Sequence, residues 1–266
     1  MIVFRTLGTI GLRDNQGRDV RTVLAQPKRL ALLAMLAMSP HARCHRDPLL
    51  GYFWPNHDPD RAHAALRQGL RFLRRELGKD VIFNVGNRGV WIDTRAMACD
   101  ACEFERACDE DRLEDALDFY LGDLLPGLFV GDVSPEFDNW LEAERVRLHQ
   151  RALTAAMGLV AWNRARGQAA LAVQWSRRAM SLAPEDERIL RTFLELLADE
   201  GDCVGAIRAY ENFAAALKRE LGIPPSALTQ RLAATIRASA GIQRPTSEER
   251  WRSSGSPPAL AEGPST

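Results

Sequence analysis

The chain has 266 residues and lacks most of what would mark it as a membrane protein, a disulfide-stapled protein or an enzyme. Its longest strongly apolar run, Leu30 to Met38, is nine residues long, far short of the roughly 20 needed to cross a bilayer. The opening Met1-Ile2-Val3-Phe4-Arg5 has no basic start leading into a long apolar core, so no secretory signal is expected. There are only five cysteines, an odd number at irregular spacing, which fits free thiols in a reducing compartment. A cytoplasmic protein without membrane attachment or structural disulfide is the expectation. Metal chemistry is also poorly supported. Cys99-Asp100-Ala101-Cys102 with Cys108 could open a thiolate site, but no second CxxC or paired histidines follow at finger spacing. His41 and His45 around Cys44 are the nearest candidates by type. Packed or surface cysteines are expected, and neither metal nor cofactor.

Gly86-x-x-Gly89 is too short for a dinucleotide fingerprint, and no phosphate-cradling Gly-x4-Gly-Lys loop occurs. His149 stands alone on a charged helix and reads as exposed. Glu142 and Glu144 fall on different helical faces. No nucleophile with a base and an oxyanion donor can be assembled, so the chain is not expected to be an enzyme.

Net charge is lacking too, with 35 Lys and Arg against 35 Asp and Glu. That zero hides a split. Residues 1–95 hold 16 basic and 8 acidic residues, a balance of +8, and the remainder holds 19 against 27, a balance of −8. Such asymmetry predicts two modules, one of them facing a polyanion. With 46% apolar and 26% charged residues, both have the composition of ordinary globular domains.

In the basic module, Ile2–Leu7, Ile10–Leu12 and Val20–Leu24 alternate with turn residues and predict a small antiparallel sheet. A buried helix is expected from Pro27 to Ser39-Pro40. A second, short helix should open with Asp47 as N-cap and Pro48 in its first turn, and run to Trp54-Pro55. A third starts near Asp58-Pro59. At 100° per residue, Ala62, Leu66, Leu70, Leu73 and Leu77 share one side, while His63, Ala64, Arg67, Arg71, Arg74 and Arg75 share the other. Gly69 in its interior is either a local weakness, costing about 1 kcal/mol relative to alanine, or a place where another backbone comes close. Two short strands then flank Gly86-Asn87-Arg88-Gly89. Sheet, three helices and hairpin in this order make a winged helix-turn-helix, whose third helix would enter the major groove and whose hairpin tip would reach the minor groove.

From Asp100 to Ala240 the pattern is helical, with Glu136–Arg166 a candidate for one long helix. A spacing of 34 residues relates Gly167 to Gly201, Ala172 to Ala206 and Val160 to Leu194. This is the tetratricopeptide period, in which paired helices stack through small residues. Ala116-x-x-x-Tyr120 echoes Ala206-x-x-x-Tyr210 and points to an earlier unit. Such arrays bind partners and seldom catalyse; bracing of the first domain or dimerisation is the other role open to them. The tail beyond Gly241 is rich in proline, serine and glycine and is expected to be disordered.

Over residues 2–240 the chain resembles the SARP-type bacterial regulators, which join an OmpR-like winged helix to a bacterial transcriptional activator domain of tetratricopeptide-like helices. The resemblance rests on Lys28-Arg29-Leu30-Ala31-Leu32-Leu33, Arg46-Asp47 before Leu49-Leu50 and Trp54-Pro55, and Ala65-Leu66-Arg67-Gln68 with Leu73-Arg74-Arg75-Glu76-Leu77-Gly78. It continues through Tyr120-x-Gly122-Asp123-Leu124-Leu125-Pro126-Gly127 and Trp140-Leu141-Glu142-x-Glu144-Arg145. It ends with Gly201-Asp202, Ala206, Tyr210, Leu217, Glu220-Leu221-Gly222 and Pro225-Ser226. Pro48 and Gly69 depart from it, standing where the family has ordinary helix formers.

The expected fold is thus an α+β winged helix-turn-helix over residues 1–95 followed by an all-α tetratricopeptide-like domain over 96–240, with a tail at 241–266. The resemblance implies a sequence-specific transcriptional activator that binds direct repeats near promoters as a side-by-side homodimer and contacts RNA polymerase. The residues expected to meet double-stranded DNA are Lys28, His63, Ala64, Arg67, Gln68, Arg71, Arg74, Arg75, Asn87 and Arg88, for three chemical reasons. Arginine can bind guanine bidentately or hold phosphate, Gln68 can pair with adenine, and Arg88 on a narrow turn suits a minor groove. The alternative is a protein-interaction adaptor whose winged helix has no DNA affinity.

Overall fold

The computed structural model describes residues 1–86 and 88–241; the tail expected to be disordered lies, from residue 242 on, outside the described residues. The chain packs as two compact units, Met1–Leu182 and the residues from Ala183 onward. Among the described residues no helix is long and apolar enough to cross a membrane.

The first unit opens with β1 (Ile2–Arg5) and β2 (Gly11–Arg13), paired antiparallel. Val20–Leu24, expected as a strand, forms a helical turn instead, α1 (Arg21–Leu24). The third strand of this sheet comes from a distance: β6 (Met97–Cys99) pairs parallel with β1 in the order β2-β1-β6. The sheet is therefore mixed rather than purely antiparallel.

α2 (Pro27–Met38) starts on a proline, whose missing N–H costs nothing at that position, and buries every residue from Leu30 to Ala37. A 3-10 turn at Pro40–Ala42 and the three-residue strand β3 (Arg43–His45) follow. α3 (Arg46–Phe53) begins two residues earlier than expected, with His45 as N-cap and Asp47 inside the first turn. Pro48 also sits in that first turn, where no intrahelical N–H bond is needed. α4 (Pro59–Leu77) is capped by Asp58, whose side chain accepts from the Arg61 N–H at 3.0 Å. Ala62, Leu66, Leu70, Leu73 and Leu77 of α4 are buried, with Leu49 and Phe53 of α3 and much of α2. β4 (Ile82–Val85) and β5 (Gly89–Ile92) form the hairpin, and β3 adds to β5 to give the order β3-β5-β4.

Among the connections that tie this winged helix to the helices that follow it within the first unit, two lie at Thr6 to Gly8. At the end of β6, Asp100 opens α5 (Asp100–Asp109), and its carboxylate accepts from the Thr6 N–H at 2.7 Å, the Thr6 hydroxyl at 2.6 Å and the Leu7 N–H at 3.1 Å. After α6 (Leu113–Phe119), the chain passes so close to Gly8 that a Cβ there would lie 2.7 Å from the Leu121 carbonyl carbon. Leu125 N–H donates to the Thr6 carbonyl at 2.6 Å and Gly8 N–H to the Asp123 carbonyl at 3.0 Å. α7 (Pro135–Ala165), 31 residues long, brings Arg145 to the same loop, where it donates to the Leu124 and Leu125 carbonyls, both at 2.9 Å. His149 on this helix is half-buried against Tyr120, 3.4 Å from its hydroxyl, rather than exposed.

The helix pairs share one turn. In α5/α6, in α7 with α8 (Ala169–Leu182), and in the second unit in α9 (Glu187–Asp199) with α10 (Cys203–Leu221), one residue has a left-handed backbone: Asp111 (φ 57°), Gly167 (φ 70°) and Gly201 (φ 82°). The residue after it donates back across the turn, Arg112 to Ala107, Gln168 to Asn163 and Asp202 to Leu197, at 2.8, 2.9 and 2.8 Å. Four residues on, Ala116, Ala172 and Ala206 are all fully buried. The echo at Ala116 is therefore a third occurrence of the unit, with an aspartate in place of the glycine. In the second unit, α11 (Ala227–Ser239) is held to α9 by Glu187, which accepts from the Ser226 N–H at 2.8 Å and from the Thr229 hydroxyl.

Candidate nucleic-acid interface

The polar side of α4 carries the candidate residues, and the structure sorts them. Ala64, Arg67, Gln68 and Arg71 are exposed, one turn or less apart, as 3.6-residue periodicity requires. His63 is half-buried. Arg88 is exposed at the hairpin tip, and its carbonyl accepts from the Arg46 N–H at 2.9 Å, which anchors the tip to the start of α3. Asn87 lies outside the described residues.

Three candidates have partners within the protein. Arg75 pairs with Glu76 at 2.8 Å and lies over the Phe72 ring. Lys28 donates to the Asp132 carbonyl at 2.7 Å beside the Trp54 ring; burial holds its ammonium below the ordinary lysine value, with Asp132 opposing. Lys28 and Gln68 line one cavity of about 420 Å³ with Trp54, Ala65 and Gly69. Arg74 points at the hairpin: its Nε donates to the Ile82 carbonyl at 2.7 Å and its Nη2 to Asn84 Oδ1 at 2.8 Å. Helical periodicity places all three on the polar side of α2 or α4 but carries no information about these partners.

Gly69 is buried without any backbone close to it. A Cβ there would meet only Leu32 Cδ2, at 3.5 Å, an ordinary contact. Of the two readings of this glycine, close approach of a second backbone does not hold.

The electrostatics of the two halves differ. In the helical half Arg106, Arg112, Arg147, Arg151 and Arg188 each lie within ion-pair distance of a carboxylate. Around α4 and the hairpin, Arg43, Arg46, Arg67, Arg71, Arg74 and Arg88 have no carboxylate within that distance among the described residues. Arg43 and Arg46 were not legible as part of this surface, because Arg43 stands on the unforeseen strand β3 and Arg46 opens α3 ahead of the residues that mark that helix in the sequence.

All five cysteines are free thiols. Cys102 donates to the Ala37 carbonyl at 3.3 Å. Among the described residues no group of three or more His, Cys, Asp or Glu comes together in a way that could hold a metal.

The bacterial transcriptional activator domain model matches residues 93–237. Among solved structures, the chain is similar to Mycobacterium tuberculosis EmbR in complex with a low-affinity phosphopeptide. The TM-score is 0.55 and the identity 20%, over 94% of this chain and 67% of that one. At that identity the likeness is one of fold, and it spans both the winged helix and the helices after it. No curated protein sequence matches. The chain belongs to the bacterial transcriptional activator domain family, with a winged helix preceding that domain.

Proposed function

We propose that the chain is a sequence-specific DNA-binding activator. In this reading α4 enters the major groove, Arg88 reaches the neighbouring minor groove, and two copies bind direct repeats near promoters side by side while the acidic helices contact RNA polymerase and stay off the DNA. The observation that carries the reading is the row of exposed residues on α4, Ala64, Arg67, Gln68 and Arg71. Arg67 and Arg71 have no carboxylate to pair with among the described residues, whereas Arg61 and Arg75 nearer the ends of the same helix do. Arginine without an internal counter-ion retains its full electrostatic interaction with an external polyanion. The apolar side of α4 is locked into the core by Leu66, Leu70 and Leu73, so these donors are presented on a rigid element.

The test is footprinting on the DNA upstream of the protein's own gene with three variants. Arg67→Ala and Arg71→Ala should each cost about 1–3 kcal/mol of discrimination at one or two base pairs. Arg88→Ala should weaken binding more evenly across sequences. Wild-type footprints from all three variants would refute the assignment. A fragment of residues 1–95 that activated transcription as well as the whole chain would refute the role given to the helical part.

A further inference from the structure

Where α3, α4 and the hairpin meet, two guanidinium groups converge on a single neutral oxygen. Arg46 Nη2 donates to Asn84 Oδ1 at 2.9 Å and Arg74 Nη2 to the same atom at 2.8 Å. No carboxylate among the described residues lies within ion-pair distance of either arginine. Arg46 Nε is buried and has no hydrogen-bond partner. Arg74 is held below the ordinary arginine value by burial first and by the charge of Arg46 second. As the brace of a resting structure this is a poor arrangement. Two like charges share one acceptor, and a charged donor is left unsatisfied where an unmade hydrogen bond is expensive. A carboxylate in place of the amide would relieve both defects.

An arriving anion would relieve them too. A tetrahedral oxyanion offers several acceptor oxygens, and the planar forks of two arginines can meet it together. The cluster lies on the same side of the domain as the unpaired arginines of α4: Arg74 is one turn beyond Arg71, and the Arg46 N–H is bonded to the carbonyl of hairpin residue Arg88. We infer that Arg46, Arg74 and Asn84 form a receptor for one backbone phosphate of bound duplex DNA, separate from the base-reading residues of α4. Asn84 acts in it as a positioning residue that holds both guanidiniums in place without neutralising them. The inference rests on the DNA-binding reading and adds a site to it.

The substitution that separates a receptor from a brace is Asn84→Asp, which keeps the shape and supplies the missing counter-ion. Binding of a mixed-sequence duplex to the full-length chain is measured over a range of salt concentrations, with melting temperature as a check on folding. For a phosphate receptor, Asn84→Asp melts at or above wild type. It binds the duplex about tenfold more weakly, with a slope of log K against log salt shallower by about 0.9. Arg46→Gln gives the same loss and the same change of slope, and Asn84→Ala, which removes the positioning contact but adds no charge, loses less affinity than Asn84→Asp and keeps the wild-type slope. For a brace alone the pattern reverses: Asn84→Asp binds as wild type does and Asn84→Ala is the weakened variant, which overturns the inference while leaving the DNA-binding reading standing. Stabilisation of the wild-type chain by inorganic phosphate, with duplex affinity untouched in Asn84→Asp, would assign the cluster to a free anion and also overturn it. A wild-type chain that bound no duplex at low salt would remove both readings at once.

Discussion

Replacing Gly69 by alanine should stabilise the protein without touching the exposed side of α4. Gly69 is in the interior of α4, where glycine costs about 1 kcal/mol relative to alanine. It is buried, and the new methyl would meet only Leu32 Cδ2 at 3.5 Å, so about 0.8 kcal/mol of apolar burial adds to the propensity gain. The two contributions together give about 1–2 kcal/mol. For a unit the size of Met1–Leu182 this corresponds to a rise of roughly 3–6 °C in melting temperature. Two residues from Gly69 in either direction along the helix are Arg67 and Arg71, about 160° away around the axis, so duplex affinity should be unchanged. Thermal unfolding followed by circular dichroism, together with an anisotropy titration, reads both quantities. A fall in melting temperature would refute the packing argument. A rise accompanied by lost affinity would mean that the cavity shared by Lys28, Trp54 and Gln68 must stay open for binding.

Other substitutions test the tertiary connections. Gly8→Ala should destabilise the first unit by about 3 kcal/mol, because a positive φ of 74° and a backbone 2.7 Å away leave no room for a Cβ; denaturant unfolding measures it. Gly201→Ala should cost about 1 kcal/mol at a left-handed position, whereas Asp111→Gly, at the corresponding turn, should be neutral or slightly stabilising by the same assay. Burial works against ionisation of Glu187, but the hydrogen bonds from Ser226 and Thr229 and the charge of Arg191 prevail and hold its carboxyl below the ordinary value. Its stabilisation is therefore full above the unfolded value of about 4.3 and is lost as pH falls through the depressed folded value. Glu187→Gln should lower stability at neutral pH by about 1–2 kcal/mol and flatten the acid limb of the stability curve; an unchanged acid limb would refute this role.

The elements legible in the sequence are those set by local chemistry. Pro27, Asp58-Pro59 and the apolar period of α4 place two helices to within a residue, and the spacing of 34 identifies the turns at Gly167 and Gly201. What was not legible depends on distant partners. β3 is only three residues long with alternating polar exposure, and exists because β5 is there to pair with it. β6 completes the first sheet from more than ninety residues away in the chain. Val20–Leu24 has strand composition, yet only Val23 of α1 is buried, against β2 and α2, and a helical turn satisfies its backbone locally. The resemblance motifs around Gly122 and Arg145 have a structural explanation that neither motif reveals alone: they meet at the loop seated on Thr6 to Gly8. On α4, periodicity located the polar side, but only side-chain geometry separates Arg67 and Arg71 from Arg74, which the hairpin holds.

The proposed function requires the +8 balance of residues 1–95 to form a surface that reads DNA sequence. It is tested most directly by the affinity of the full-length chain for a duplex from upstream of its own gene and for a scrambled duplex of equal length, each across a range of salt concentrations. A sequence-reading surface binds the native duplex more tightly at every salt, and for both duplexes log K falls linearly with log salt from displaced counterions. Equal affinity for the two duplexes, or no binding to either at low salt, would contradict it.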